Sequence, residues 1–510
     1  MNNPTETKRR WRWLRRALIG LAILVTLAAG LITEENWRGK RDWEAYKNEA
    51  EARGERFDWS AFAPTNVPDD RNFVKAPIFS NLWAMEWDVQ TQEWKPVATN
   101  TVDRLRMSTY RSDGTWPTNV SGAWERGYLT DLTNWQAYYH SGTTNGVGEF
   151  PVAPQPQSAA ADVLLALSKY APAIDELRLA SRRPFSRLGV YSTGDTQGFA
   201  LLLQFLGRLK GCAQVLQLRA IAGLNENQSA AALDDVQLLL RLDDFLRQEP
   251  LLIEHMVSVA ITAITLQPIY EGLAQHRWND AQLVELEHAL AAKDFLADYQ
   301  RAMRGERTFA IDFFENQRIT GEYKMVVFNN GKYSTETINM RLTPSAWFYQ
   351  NELSCARGID EYLLPLVDLT NRTVSPTNVR QTEAELKRQA SHFSPYRIQS
   401  LMTLPAVIKA LRRFADIQSS VDLARVACAL ERYRLAHGEY PETLDALAPQ
   451  FIGKLPHDVI NGQPLHYRRE AGGGFILYSV GWNEVDDGGT VALTKSGSVD
   501  REEGDWVWKN

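Results

Sequence analysis

Cysteine is scarce in this chain: three in 510 residues, at Cys212, Cys355 and Cys428. An odd number, widely spaced and without a CxxC pair, excludes a disulfide framework; buried thiols acting as small hydrophobes are expected. An excess of positive charge is also missing. Lys and Arg number 56 against 62 Asp and Glu, a net charge of −6, so nothing provides the basic face that nucleic acid needs. No HExxH, phosphate loop, GxSxG elbow or dinucleotide fingerprint occurs. The eight histidines are scattered. The pairs Glu254-His255 and Glu287-His288 fall on helical segments, where solvent contact or one satisfied hydrogen bond is the expected role.

What is present is an ordinary globular balance, 44% hydrophobic and 23% charged, long enough for two or three domains with their own cores. The N-terminus departs from it. Lys8, Arg9, Arg10, Arg12, Arg15 and Arg16 precede an uncharged apolar run from Ala17 to Thr33. About 17 residues is the short end of what spans a bilayer as a helix. The basic flank keeps the N-terminus cytoplasmic, Glu34 and Glu35 follow on the far side, and Trp11 and Trp13 suit the headgroup boundary. The rival is a cleaved signal peptide, with Ala28-Ala29-Gly30 before the cut. Leu31 and Ile32 continue the run past that point and favour a retained single-pass anchor.

Residues 34–62 are charged with a helical pattern, broken by Pro64 and Pro68. The region 34–150 is Trp-rich, with Trp83, Trp87, Trp94, Trp116, Trp124 and Trp135. Large rings building a small core are the plain reading, and stacking platforms for sugars the sharper one. Val152–Gln157 is a proline-bearing connector. Beyond it, Leu164, Leu165, Leu167, Tyr170, Ala171 and Ile174 form one helical stripe, and Leu202, Phe205, Leu209, Cys212, Leu216 and Ala220 another. Leu251–Ala274 is apolar almost all round, but Glu254, His255, Pro268 and Glu271 mark it as a buried central helix rather than a second span. The spacing predicts a hairpin over Tyr323–Phe328 and Lys332–Ile338, turning at Asn330-Gly331. The fold expected is therefore mainly α. It comprises a basic flank and single transmembrane helix (1–33), the Trp-rich region (34–150), an α-helical repeat-like or bundle core with a β-hairpin near 323–338 (157–417), and a small α+β domain (419–510).

In that last segment Leu423, Val426, Ala427 and Leu430 make a buried helix face, with Arg432 facing solvent. Gly438 ends the helix and Pro441 prevents its resumption. Phe475 and Leu477, alternating through Val480, give a strand that packs back on the helix. Glu431, Glu439 and Glu442 are expected in solvent. Asn483, Asp486, Asp487, Asp500 and Asp505 crowd a Gly-bearing acidic loop, where calcium could find carboxylate and carbonyl oxygens; a solvated acidic surface is the alternative.

Two resemblances accompany these residues. The Gly54-Glu55…Ala63-Pro64…Val67-Pro68-Asp69-Asp70…Asn72 opening, Glu249-Pro250, and Arg304-Gly305-Glu306-Arg307 resemble a family of uncharacterised, membrane-anchored bacterial envelope proteins. That implies architecture and location only: a bacterial inner-membrane protein with most of its chain periplasmic. The tail, with Gly438-x-Tyr440-Pro441, Leu455-Pro456-x-Asp458, Gly462-x-Pro464-Leu465-x-Tyr467 and Tyr478-Ser479-Val480-Gly481, is similar to the globular domain of the major pseudopilin of type II secretion. That resemblance implies calcium bound near Asn483, with Asp505-Trp506-x-Trp508 as the closing motif. The charged segment Leu411–Asp416 precedes the tail in place of a pilin's apolar helix, so polymerisation as a pilin is not expected. The function read from all this is a non-catalytic membrane-anchored envelope scaffold or interaction protein with an envelope protein partner, secretion-associated by analogy with its tail. The alternative is an exported glycan-binding or glycan-hydrolysing protein using the Trp-rich region.

Overall fold

The computed structural model describes the backbone of residues 4–62, 67–83, 85–88, 93–96, 103–142, 148–155, 157–189, 196–329, 332–391 and 394–510. Its first element sets the geometry of the rest. α1 runs unbroken from Pro4 to Ala52, so the apolar run and the charged segment after it are one helix. Its second half carries i,i+3 and i,i+4 ion pairs such as Arg38–Glu35, Lys40–Glu44 and Arg53–Glu49, which favour helix over coil. The chain turns out of it at Gly54, φ +93°. The apolar half of α1 is exposed throughout, and it is long and apolar enough to cross a membrane. Further along, Trp43, Tyr46 and Ala50 are buried against Phe57, Ile311, Leu353 and Ala356.

After α2 (Ser80–Trp83) and the two-stranded β1 (Met85–Asp88) and β2 (Glu93–Pro96) come α3 (Leu132–Ser141), α4 (Ala159–Leu167) and α5 (Ala171–Ala180). The long helices follow: α6 (Thr196–Asn225), α7 (Ser229–Arg247), α8 (Leu252–Ala274), α9 (Asp280–Ala291) and α10 (Phe295–Thr320). The α6 stripe is buried as the spacing requires, from Leu202 to Ala220. On α4 the buried positions are Ala160, Asp162, Val163, Ala166 and Leu167, while Leu164 and Leu165 are half-buried. The 3-10 turn Ser168–Tyr170 interrupts the helix there, so one period does not carry through. α8 is the central helix, mostly buried. Its polar residues hold the Trp-rich segment: Gln267 accepts the Trp124 N–H at 2.9 Å, and Glu271 accepts the Thr130 N–H and hydroxyl at 2.9 and 2.6 Å.

The hairpin consists of β3 (Glu322–Asn329) and β4 (Lys332–Asn339), with Asn329 opposite Lys332; the turn residues Asn330 and Gly331 lie outside the described residues. α11 (Ser345–Arg357), the small pair β5 (Val367–Asp368) and β6 (Thr373–Val374), and α12 (Pro376–Ala390) lead to α13 (Ile398–His437). α13 is one helix of 40 residues, and it passes straight through the expected boundary at 417–419. Charges in its middle are satisfied by the tail itself: Asp416 accepts from Arg501, which also reaches Glu125 at 2.6 Å, and Arg412 pairs with Glu502.

Beyond α13, β7 (His466–Arg469), β8 (Phe475–Ser479) and β11 (Trp506–Lys509) form an antiparallel sheet in the order β11-β8-β7, with β9 (Val491–Leu493) and β10 (Val499–Gly504) as a separate pair. β8 is buried along its whole length. Phe475 and Leu477 join Leu430 and the helical core, while Ile476 and Tyr478 meet Val507 and Val491 on the other face. Full burial of Leu430 contributes about 1.5–3 kcal/mol. Trp508, fully buried, lies 5.1 Å from Trp124 and 5.6 Å from Tyr270, so the Trp-rich region, α8 and the tail share one core. Arg432 is not on a solvent face: it donates to Phe451 O at 2.8 Å and pairs with Asp280 at 2.7 Å.

Candidate functional site

The acidic loop between β8 and β11 is built around Asp505. Buried at the end of the β10–β11 turn, it accepts backbone N–H bonds from Asp487 (3.2 Å), Gly489 (2.7 Å) and Thr490 (3.2 Å). Gly489 takes φ +77°, and a Cβ there would lie 2.8 Å from Ile476 Cγ2, so the turn that presents its N–H to Asp505 needs glycine. Burial holds the Asp505 carboxyl above its ordinary pKa while these donors oppose the shift. Asp486 turns instead to the Tyr478 hydroxyl (3.0 Å) and the Gly488 N–H (2.9 Å). Asp487 accepts from the Asn483 amide at 2.8 Å, and Asp500 caps the Glu502 N–H at 3.0 Å. Asn483, Asp486, Asp487 and Asp505 thus share one loop, with their oxygens spent on separate internal donors. Among the described residues no group of three or more His, Cys, Asp or Glu side chains is placed to hold a metal ion.

Beside this loop lies a cleft of about 650 Å³ between α12, α13 and the tail, lined in part by Arg380, Lys409, Glu383, Glu503 and Trp482. Arg380 closes one end on Glu484 and the Trp482 carbonyl. Two other motif residues have structural duties. Asp458, buried, accepts from Ser479 Oγ and the Val480 N–H, locking the Leu-Pro-x-Asp turn to β8. Glu431, expected in solvent, is buried and accepts from Arg434 and the Tyr440 hydroxyl, with His276 at 2.9 Å. Glu439 and Glu442 are exposed and pair with Arg469. In the Trp-rich region Trp124 and Trp135 are core residues, and Trp116 is exposed over Tyr110 at 4.6 Å. The side chains of Trp83, Trp87 and Trp94 lie outside the described residues.

A cluster of titratable groups gathers at the start of α8, where the sequence predicts solvent contact or one satisfied hydrogen bond for Glu254 and His255 on a buried central helix. Glu254 and His255, at the start of α8, are both fully buried. Glu254 accepts the Leu251 N–H at 3.1 Å, capping the helix. His255 meets the Glu249 carbonyl at 2.9 Å, Glu249 accepts the Leu188 N–H at 3.1 Å, and Glu306 accepts the Leu252 N–H at 2.8 Å. Arg187 and Arg301 both donate to Gln248 O. A second knot adjoins it: Lys293 donates to Asp243 (2.7 Å), Asp244 (2.6 Å) and Leu240 O (3.0 Å). Burial pushes Glu249 up to about 7. Burial, then the neighbouring Glu249, hold Glu254 well above its ordinary value, and burial brings His255 down to about 3. Only the Glu-Pro dipeptide at 249–250, a helix stop, could have flagged this junction in the sequence.

Comparison with protein-family models, with curated proteins and with solved structures finds no significant match.

The buried carboxyls make a pH prediction. A folded-state pKa raised above its ordinary 4.5 gives stability that is full below that pH and lost as pH rises through the folded value. His255 acts oppositely, losing stability as pH falls below 6.5 towards about 3. Glu254→Gln removes the Glu254 contribution and leaves those of Glu249 and His255. The variant's stability relative to wild type is expected to climb as pH rises above about 5, by about 1.4 kcal/mol in total for each unit by which folding raises the Glu254 pKa, read as a rise in relative melting temperature. A gap that stays constant with pH would show that Glu254 is ionised in the fold.

Proposed function

We propose that this protein is a membrane-anchored scaffold or interaction protein of the bacterial envelope, held in the inner membrane by α1 with its body on the periplasmic side. One observation carries the reading: the exposed apolar half of α1 continues without a break into a half packed in the body. A lipid-soluble stretch and a folded body on one stiff rod fix the body close to the bilayer. The basic residues before the run and Glu34 and Glu35 after it support the orientation. The charged cleft beside Trp482 is a surface suited to a protein segment carrying both signs of charge. A secretion-associated role rests on the tail's likeness to a pseudopilin domain, an analogy of sequence motifs alone.

The topology is tested with an epitope tag after Asn510. The tag is expected to be protease-accessible in spheroplasts, with the chain retained in membranes after alkaline washing. Release into the soluble fraction would reveal cleavage, and a protected tag an inverted orientation. Calcium binding by the tail loop belongs to the same proposal. An ion would have to take oxygens that Asn483, Asp486, Asp487, Asp500 and Asp505 now give to internal donors, so binding has to outweigh those bonds. Melting of the full chain in chelator and in millimolar calcium reads this directly: a higher melting temperature in calcium, lost in Asp505→Ala, supports it, and superimposed curves remove it.

A further inference from the structure

We propose that the segment Met340–Pro344, with the end of α10 beside it, forms a second and shallow contact with the lipid bilayer that α1 crosses. This rests on the anchoring role proposed for α1. The depth follows from helix geometry. Ile32 is the last large apolar residue of the run, and body contacts begin at once: the Tyr396 hydroxyl donates to Glu35 at 3.3 Å, and Asn36 Oδ1 accepts the Ala346 N–H at 2.8 Å. From Ile32 to Asn36 is a rise of about 6 Å at 1.5 Å per residue. The interfacial layer outside the hydrocarbon is itself about 5–8 Å deep on each side. The start of α11 therefore sits at headgroup depth.

Gly39 makes the approach close, since a Cβ there would lie 3.1 Å from Ala346 Cα. From this point α11 and α1 run side by side away from the bilayer: Gln350 reaches Asp42, and Arg357 lies over Tyr46. α10 runs the other way, placing Ile311 with Leu353 and Ala356 and Phe314 beside Trp347. Its C-terminal end is thus the membrane-proximal one. Met340 N–H donates to Gly321 O at 2.8 Å, and the Arg341 side chain covers Gly321. The end of α10 and the 340–344 segment are therefore neighbours.

The side chains at this end match an interface. Leu342 is 99% exposed, Ile319 68% and Ile338 47%, and Trp37 is 61% exposed with Arg41 stacked 5.3 Å over its ring. Isolated exposed apolar residues need no explanation, but a group at the level where a spanning helix leaves the hydrocarbon has one. The amphipathic Trp–Arg pair suits the headgroup layer, and Leu342 and Ile319 reach towards the acyl chains.

The experiment uses the full chain in liposomes. The native cysteines are buried, so Leu342→Cys, Ile319→Cys, Leu24→Cys and Asp445→Cys are each labelled singly with a fluorophore and exposed to lipids bearing a shallow or a deep nitroxide. All four positions are exposed in the fold. Expected are a loss of intensity at 342 and 319 with the shallow quencher, a loss at 24 with the deep one, and none at 445. Quenching at 24 without quenching at 342 and 319 overturns this proposal and leaves the anchor intact. No quenching at 24 overturns the anchoring reading and this proposal with it.

Discussion

Arg307 is the interaction on which the architecture turns. Fully buried on α10, it donates to Glu55 at 2.7 Å and Arg56 O at 2.9 Å, pairs with Asp360, and lies over the Phe57 ring at 4.5 Å. Asp360 in turn accepts from the Tyr46 hydroxyl on α1. One guanidinium thus ties the exit of the anchor helix to the middle of the body. A planar fork with five donors suits this task where an ammonium would not. A buried charge of this kind is costly unless paired, and removing a partner leaves the other stranded, typically at about 3–5 kcal/mol. The pairing therefore specifies where α1 docks more than it adds to net stability.

The same logic recurs at each junction between regions. Arg501 joins the tail to α13 and to the Trp-rich region through Asp416 and Glu125. Glu431 joins α13 to the α8–α9 turn through His276 and to the tail through Tyr440. Lys293 joins α7 to the start of α10. Apolar burial continues across all of these seams, with Trp124, Tyr270 and Trp508 in one cluster. A chain stitched in this way behaves as one body on one rod, and the function proposed for it depends on that stiffness.

Much of the helical body was legible. The α6 stripe, the central α8 and the hairpin register follow from periodicity and turn chemistry, which are local. The charged residues were not. Glu431 and Arg432 read as surface because charge in a sequence defaults to solvent. Their placement depends on His276 and Asp280, which lie far away along the chain. The expected boundary at 417–419 falls inside α13 just after the charges of Leu411–Asp416. The tail supplies their counterions, so the helix continues. At the acidic loop the sequence placed the carboxylates together, but it could not say that Asp505 is spent on three backbone N–H groups, since that depends on how the loop closes.

The central claim is that α1 and the body are a single rigid unit. The direct measurement is the distance distribution between spin labels at Thr26→Cys in the apolar half of α1 and Lys387→Cys on α12, both exposed, in the full chain reconstituted in lipid nanodiscs. A single narrow distribution is the predicted result. A broad distribution, with α1 swinging freely about the residues after Thr33, would contradict the account.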